Sequence, residues 1–305
     1  MFWHPIDFNP RTGKLRGVDF IARNGQHIFG ENVYDQLAQR YIYNYLDKYK
    51  NEMEDMFVHQ KYAVLLKPQP GELKDCVFTM WWQGLENAPD VVKACISSLK
   101  KINKKVVVIT KDNIKNYVLL PNYIWEKYEK GMICLAHLSD IVRVYLLAVY
   151  GGTWVDSTVY IATPVPDYMT QGYFVFKQSP QLRECRSYGN WWISAPVGHE
   201  IIIRQLAALL VYWKHENAAY DYYIFHILWR KILDEHNELK VLTDRITDRI
   251  TDSTHLLMKR YACIFDENEW EQMKAISPVF KCTYKAKGLG HIDSYYMRLC
   301  REMLP

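Results

Sequence analysis

The sequence predicts an α/β fold: one domain on a mixed central sheet, preceded by a helical extension. Three observations carry this reading. Short β-branched or aromatic runs alternate with longer segments of helical period. A helix, a glycine pair and a strand follow one another directly in AHLSDIVRVYLLAVYGGTWVDSTVYIATP, from Ala136 to Pro164. A break at Pro68, Pro70 and Gly71 sets that alternation apart from the start of the chain. The expected division is 1–72 for the arm and helical extension and 73–305 for the α/β domain.

Taken in order, residues 1–30 hold Pro, Gly and Asn without periodicity and read as an irregular arm. From Glu31 to His59, Val33, Leu37, Tyr41, Tyr45 and Tyr49 recur every four residues, one face of a helix. Cys76–Trp82 is an apolar run suited to a buried strand, closed by Gln83 and Gly84. Pro89–Lys101 predicts a helix with Val92, Cys95, Ile96 and Leu99 inward, and KVVVIT at Lys105–Thr110 a second buried strand. Leu138, Ile141, Val142, Tyr145, Leu146 and Val149 then keep the i, i+3, i+4, i+7 spacing of a core-facing helix. Gly151-Gly152 suits the turn that ends it, and Thr153–Ile161 reads as one strand. Strands are expected at Tyr173–Lys177 and Asn190–Ala195, helices at His199–Trp213 and Ala219–Asp234. The repeat TDRI-TDRI-TD at 243–252 is too short for a solenoid and is expected as a polar loop or helix edge. The tail after Pro278, FKCTYKAKGLGH, reads as loop.

Composition narrows the function classes. Hydrophobic content of 49% and charged content of 24% are those of a soluble globular protein. A net charge of +4 is too mild to argue for nucleic acid. Much of the excess sits in Lys93, Lys100, Lys101, Lys104, Lys105, Lys111 and Lys115, either a solvated face or a surface attractive to anionic lipid or substrate. The 23 Tyr and 10 Trp suit a ring-lined cleft. Seven scattered cysteines without a CxxC pair fit free thiols in a reducing compartment. The start, MFWHPIDF, has no secretory signal pattern, and the apolar run Ile201–Trp213 is broken by Arg204 and Gln205. A cytoplasmic protein is expected, with association at a membrane surface left open.

Charges in apolar surroundings mark the candidate site. Asp156 lies in a run that reads as strand, where a carboxylate needs a cation or several donors. It suits an Mg²⁺ or Mn²⁺ ion shared with a diphosphate, or else a structural role capping a neighbouring helix or paired with Arg143. Asp140 and Arg143 lie three apart in a nearly apolar helix, with His137 a turn earlier. They read as a structural ion pair or as partners for sugar hydroxyls. Trp81, Trp82, Gln83 and Gly84 close the first strand, where open α/β sheets bind ligands; Trp82 is a base-stacking candidate or a core residue.

With those residues in view, WWQG at 81–84, AHLSDIVRVYLLAVYGG and TWVDSTVYIATP resemble the capsular polysaccharide synthesis proteins. These stand among the sugar-transferases with an S-D-x-x-R…Y-G-G-x-[YW]-x-D-x-[D] signature (glycosyltransferase family 32). NWWISA at 190–195 and DYYIFHILW at 221–229 resemble further blocks of the capsular group, and coverage runs from about residue 76 to 285. The resemblance implies a GT-A fold, one nucleotide-binding domain, a divalent metal, usually Mn²⁺, and a nucleotide-sugar donor, usually a UDP-hexose. It also implies retention of anomeric configuration and a glycan or lipid-linked oligosaccharide acceptor. On this chain the implied donor site is Trp82, Gln83, Gly84, Asp140, Arg143, Gly152 and Asp156. Asp140, Arg143 and Asp156 are the expected catalytic residues.

The second Asp of the D-x-D pattern is Thr158 here, giving D-S-T. The expected metal ligands are therefore Asp156 with Thr158, and His291 or Asp293 from the C-terminal loop, or water; Lys281, Lys285 and Lys287 are alternative partners for the diphosphate. Acceptor candidates are Asn190, Trp191, Trp192 and Asp221, with Asp221 also readable as a first-turn acid and His226 beside it. Two other readings stay open: a non-catalytic nucleotide-sugar-binding scaffold of a polysaccharide assembly complex, and a transferase of a phosphoryl-linked group.

Overall fold

The strands of the computed structural model are β1 (Val77–Met80), β2 (Val106–Ile109), β3 (Gly152–Val155), β4 (Val159–Ile161), β5 (Phe174–Lys177), β6 (Tyr188–Ala195) and β7 (Val279–Lys281). Residues 40, 42–66, 71–178, 188–246, 251–286 and 291–304 are described. Five strands form a mixed sheet in the order β2-β1-β3-β6-β5. β1 pairs in parallel with β2 and β3, while β6 runs antiparallel to both β3 and β5. β4 and β7 make a separate antiparallel pair. The expected α/β class and mixed sheet are what the chain adopts.

The helices are α1 (Lys50–Leu66), α2 (Asp90–Ser98), α3 (Asn122–Glu129), α4 (Leu135–Tyr150), α5 (Glu200–His215), α6 (Ile224–Glu235), α7 (Asn237–Ile246), α8 (Leu256–Lys259), α9 (Glu267–Ile276) and α10 (Tyr295–Cys300). α4 and α5 are buried over nearly their whole length. Both therefore lie inside one apolar cluster with β1, β3 and β6, and their Leu and Ile side chains contribute about 1.5–3 kcal/mol each by leaving water. α1 packs against α5, and Ile42, Leu46 and Phe57 join the same cluster. The described part of the N-terminal extension thus shares the core of the α/β domain.

Three expectations are corrected. The helix expected from Glu31 to His59 is described from residue 40, and α1 runs on to Leu66; residues 31–39 lie outside the described residues. Thr153–Ile161 is two strands in two sheets, because Asp156, Ser157 and Thr158 form a turn closed by the Val159 N–H on the Asp156 carbonyl at 3.0 Å. The tail read as loop contains β7, whose Lys281 pairs with Val159. The TDRI repeat begins in α7, with 247–250 outside the described residues. Among the described residues no helix is long and apolar enough to cross a membrane.

Candidate active site

Parallel pairing of β1 with β3 brings the carboxyl ends of both strands to one edge of the sheet. Trp81 and Trp82 leave β1 there, and Asp156 leaves β3. This is the edge at which α/β sheets leave room for ligands. α4 delivers Asp140 and Arg143, and β6 delivers Asn190 and Trp191.

The side chains form one connected network. Arg143 Nη2 lies 3.2 Å from Asp140 Oδ1, and Nη1 lies 3.6 Å from Asp156 Oδ1. Asn190 ties both ends: its Nδ2 donates to Asp140 Oδ1 at 3.0 Å, and its carbonyl accepts from Arg143 Nη1. Arg143 also donates to the Ser139 carbonyl and hydroxyl and lies over the Trp154 ring, 5.0 Å from its centroid. Trp154 Nε1 donates to Asp156 Oδ1 at 2.9 Å, and the Asp156 N–H donates to the Trp191 carbonyl at 2.8 Å. Lys281 completes the network, its Nζ donating to Asp156 Oδ2 at 2.7 Å and to Thr158 Oγ1 at 2.8 Å.

Electrostatics push the two carboxylates apart. Burial raises the pKa of Asp140 above the ordinary carboxylate range, and Arg143 and His137 offset only part of that rise. Burial acts the same way on Asp156, but there Lys281 and Arg143, helped by hydrogen bonds from Lys281 and Trp154, win and hold the carboxyl below its usual range. Two neighbouring acids with opposed shifts are a mark of a site where charge is handled. The Asp156 and Lys281 side chains are 25% and 21% exposed, so this end of the network meets solvent, whereas Arg143 at 6% does not.

The resemblance implies one donor site holding Asp140, Arg143 and Asp156, and the fold sets Arg143 against both carboxylates. Arg143 meets its donors' needs inside the protein and bridges both carboxylates. Trp82 is half-buried and packs edge-on against Tyr128, with Gln83 exposed beside it. Gly84 sits at φ +84°, a conformation its turn requires. Gly152 begins β3, at the far end of that strand from Asp156. At φ +90° a Cβ there would lie 2.2 Å from the Cys76 carbonyl oxygen, so strand packing accounts for this glycine.

Burial corrects two of the acceptor candidates, Trp191 and Trp192. Trp191 is 5% exposed and stacks on Phe176, and Trp192 is 0% exposed with its Nε1 on the Met169 carbonyl. Neither ring can meet a sugar. Asn190 serves the Asp140–Arg143 pair. The Asp221 carboxylate accepts the Tyr223 N–H at 2.8 Å, and Asp221 precedes α6 instead of lying in its first turn. Trp154 and Ser139 were not singled out from the sequence, although both lie inside the signature stretches and only their partners across the fold reveal them.

Of the expected metal ligands, Asp156 and Thr158 come together at the Lys281 ammonium. His291 is exposed and its Nδ1 accepts the Asp293 N–H at 3.2 Å. Among the described residues no three His, Cys, Asp or Glu side chains are grouped to hold a metal ion. At Asp156 and Thr158 the cation position is taken by the Lys281 ammonium. A divalent ion about 4 Å from that ammonium would be repelled by on the order of 8 kcal/mol at an effective dielectric of 20. One carboxylate and one hydroxyl, both already donated to by a lysine, would take a divalent ion only in place of that lysine.

Of the other basic candidates, Lys285 is exposed over the Tyr284 ring, which packs edge-on against Trp81; Lys287 lies outside the described residues. In the lysine cluster, Lys101 donates to the Ala162 carbonyl and Lys104 to Asp75 and the Thr170 carbonyl, while Lys93, Lys100, Lys105, Lys111 and Lys115 are exposed.

Fold and site together define an α/β protein with a charged network at the carboxyl edge of its sheet. The chain belongs to the capsular polysaccharide synthesis protein family, whose profile matches residues 26–299. No curated protein sequence matches it. Among solved structures it is similar to the "PaToxG Glycosyltransferase", at 14% identity over 71% of this chain and 85% of that one, with a TM-score of 0.40. That likeness is too slight to argue from.

Proposed function

We propose that the protein is a glycosyltransferase of GT-A-like fold that moves a hexose from a nucleoside-diphosphate sugar, a UDP-hexose, to a capsular or other surface-polysaccharide acceptor with retention of configuration. The observation that carries this reading is the Asp140–Arg143–Asp156 network at the carboxyl edge of β1 and β3, in a chain of the capsular polysaccharide synthesis family. In the reaction the bond between the anomeric carbon and the diphosphate oxygen breaks. The nucleoside diphosphate leaves with the electron pair. A new bond forms from the anomeric carbon to an acceptor hydroxyl, whose proton passes to the departing diphosphate oxygen. Negative charge grows on the departing diphosphate, so cations held in place before reaction stabilise the transition state.

The residues divide that work. Asp156, kept ionised by Lys281, Arg143 and Trp154, is the acceptor-only group for donor hydroxyls and the anchor of the cationic side chain next to it. Arg143 and Asn190 fix Asp140, and Trp82 offers a ring face to the base. No step is assigned to a divalent ion. Cytoplasmic placement beside a membrane, where lipid-linked acceptors reside, agrees with the exposed lysines near β2.

The reading is tested by transfer assays with a panel of UDP-sugars and lipid-linked glycan acceptors. Asp156→Ala is expected to lower kcat about 10²–10³-fold, the effect of removing one preorganised charge-stabilising group. Full activity in that variant sinks the assignment. Tight nucleotide binding with no turnover over the whole panel favours the scaffold reading, and phosphate carried into the product favours phosphoryl-linked transfer.

A further inference from the structure

We propose that Lys281 is the site's own cation, receiving the donor diphosphate directly in the place where a divalent ion would otherwise bridge protein and phosphates. The inference rests on the glycosyl-transfer reading and specifies how its donor is held. Four observations meet at this residue. Its ammonium lies between the first and third positions of the D-S-T segment, 2.7 Å from Asp156 Oδ2 and 2.8 Å from Thr158 Oγ1.

The placement is built into the backbone. β7 pairs with β4 so that Lys281 stands opposite Val159, and the Cys282 N–H bonds the Thr158 carbonyl at 2.7 Å. The turn carrying Asp156 and the strand carrying Lys281 are therefore held together whatever the side chains do. Third, the threonine matters chemically. A second carboxylate at 158 would demand more positive charge than one ammonium supplies, whereas a hydroxyl accepts from lysine and leaves Asp156 as its single counter-charge.

Fourth, capacity remains for a ligand. An ammonium has three N–H donors, and two are used. The side chain is 21% exposed, beside an equally accessible Asp156. Arg143 stands behind Asp156 and keeps that carboxylate balanced when Lys281 turns part of its charge to the phosphates. A lysine acts on phosphate as a point charge, so it needs no fixed coordination geometry.

The test is calorimetry on the full chain with UDP, GDP and inorganic pyrophosphate, each in EDTA and in excess Mn²⁺, repeated with Lys281→Gln and Lys281→Arg. A nucleoside diphosphate is expected to bind the wild type in EDTA with a Kd within about twofold of that in Mn²⁺. Lys281→Gln is expected to weaken it about tenfold or more and Lys281→Arg to recover most of that loss, as for a charge-assisted contact. The matching nucleoside, lacking the diphosphate, should bind both alike. Binding that collapses in EDTA overturns the inference and leaves the glycosyl-transfer reading standing. Undiminished binding by a folded Lys281→Gln in EDTA overturns it too. Failure of every probe with and without metal overturns both readings. If Lys281→Gln does not fold, the wild-type comparison of EDTA with Mn²⁺ still decides.

Discussion

Two regions of this molecule bury a carboxylate among several donors, and they do it differently. Under the N-terminal helical segment, Glu216 accepts from the hydroxyls of Tyr45 at 2.6 Å, Tyr49 at 2.7 Å and Tyr220 at 2.9 Å, with Lys48 at 3.7 Å. Close by, Lys127 donates to the carbonyls of Trp213, Lys214 and Glu216, satisfying the end of α5. The Glu216 cluster is mostly neutral hydroxyls around one charge, and it staples residues 45 and 49 to the end of α5. The cluster at Asp156 is two carboxylates and two cations within direct reach of one another. Its acids shift in opposite directions, and its outer pair meets solvent. The Glu216 carboxylate is held mainly by neutral hydroxyls, whereas Asp156 keeps a partly exposed ammonium beside it.

That contrast orders the predictions. The largest effect belongs to Asp156→Ala, with the 10²–10³-fold loss in kcat stated above. The same change should cost less stability than its chemistry suggests, because Arg143 keeps Asp140, Asn190 and Ser139 as partners. Next comes Gly152→Ala, which forces a Cβ against the Cys76 carbonyl at positive φ and should destabilise by about 3 kcal/mol. Urea unfolding would measure it. A loss of transfer per folded molecule in that variant would return Gly152 to the donor site.

Glu216→Gln should destabilise by about 2 kcal/mol, since three phenols lose a charged acceptor, with kcat unchanged. A change in kcat there would erase the distinction between the two clusters. The smallest effect is in pH dependence. Burial raises Glu216, but hydrogen bonds from the three tyrosines outweigh it and hold its folded pKa below the ordinary value. A depressed folded pKa stabilises the fold above the ordinary glutamate range and loses that stabilisation as pH falls through the folded value. Acid titration of unfolding free energy should therefore be shallower below about pH 4 in Glu216→Gln than in the wild type.

How much of this was legible follows from the range over which each feature is encoded. The helix Leu135–Tyr150 was, because its apolar spacing is local. So were β1 and β2, as dense apolar runs between breaks. Asp156 was recognised as out of place but assigned to mid-strand, because its turn has neither Gly nor Pro and Val159–Ile161 resumes the β-branched pattern at once. Trp191 and Trp192 looked like a sugar platform since aromatic runs read alike in a core strand and in a cleft. Only packing against Phe176 and Met169 separates the two.

By itself, then, the sequence determined the helix Leu135–Tyr150 and the strands β1 and β2, and that Asp140, Arg143 and Asp156 are charges needing partners. Periodicity and the cost of burying charge act within a few residues, so they can be read along the chain. What those charges are partnered with was decided by tertiary structure alone. Lys281 reaches Asp156 across 125 residues of sequence through the pairing of β7 with β4, and Asn190 reaches Asp140 across 50. No local pattern encodes either contact, because strand register fixes both only once the sheets have formed.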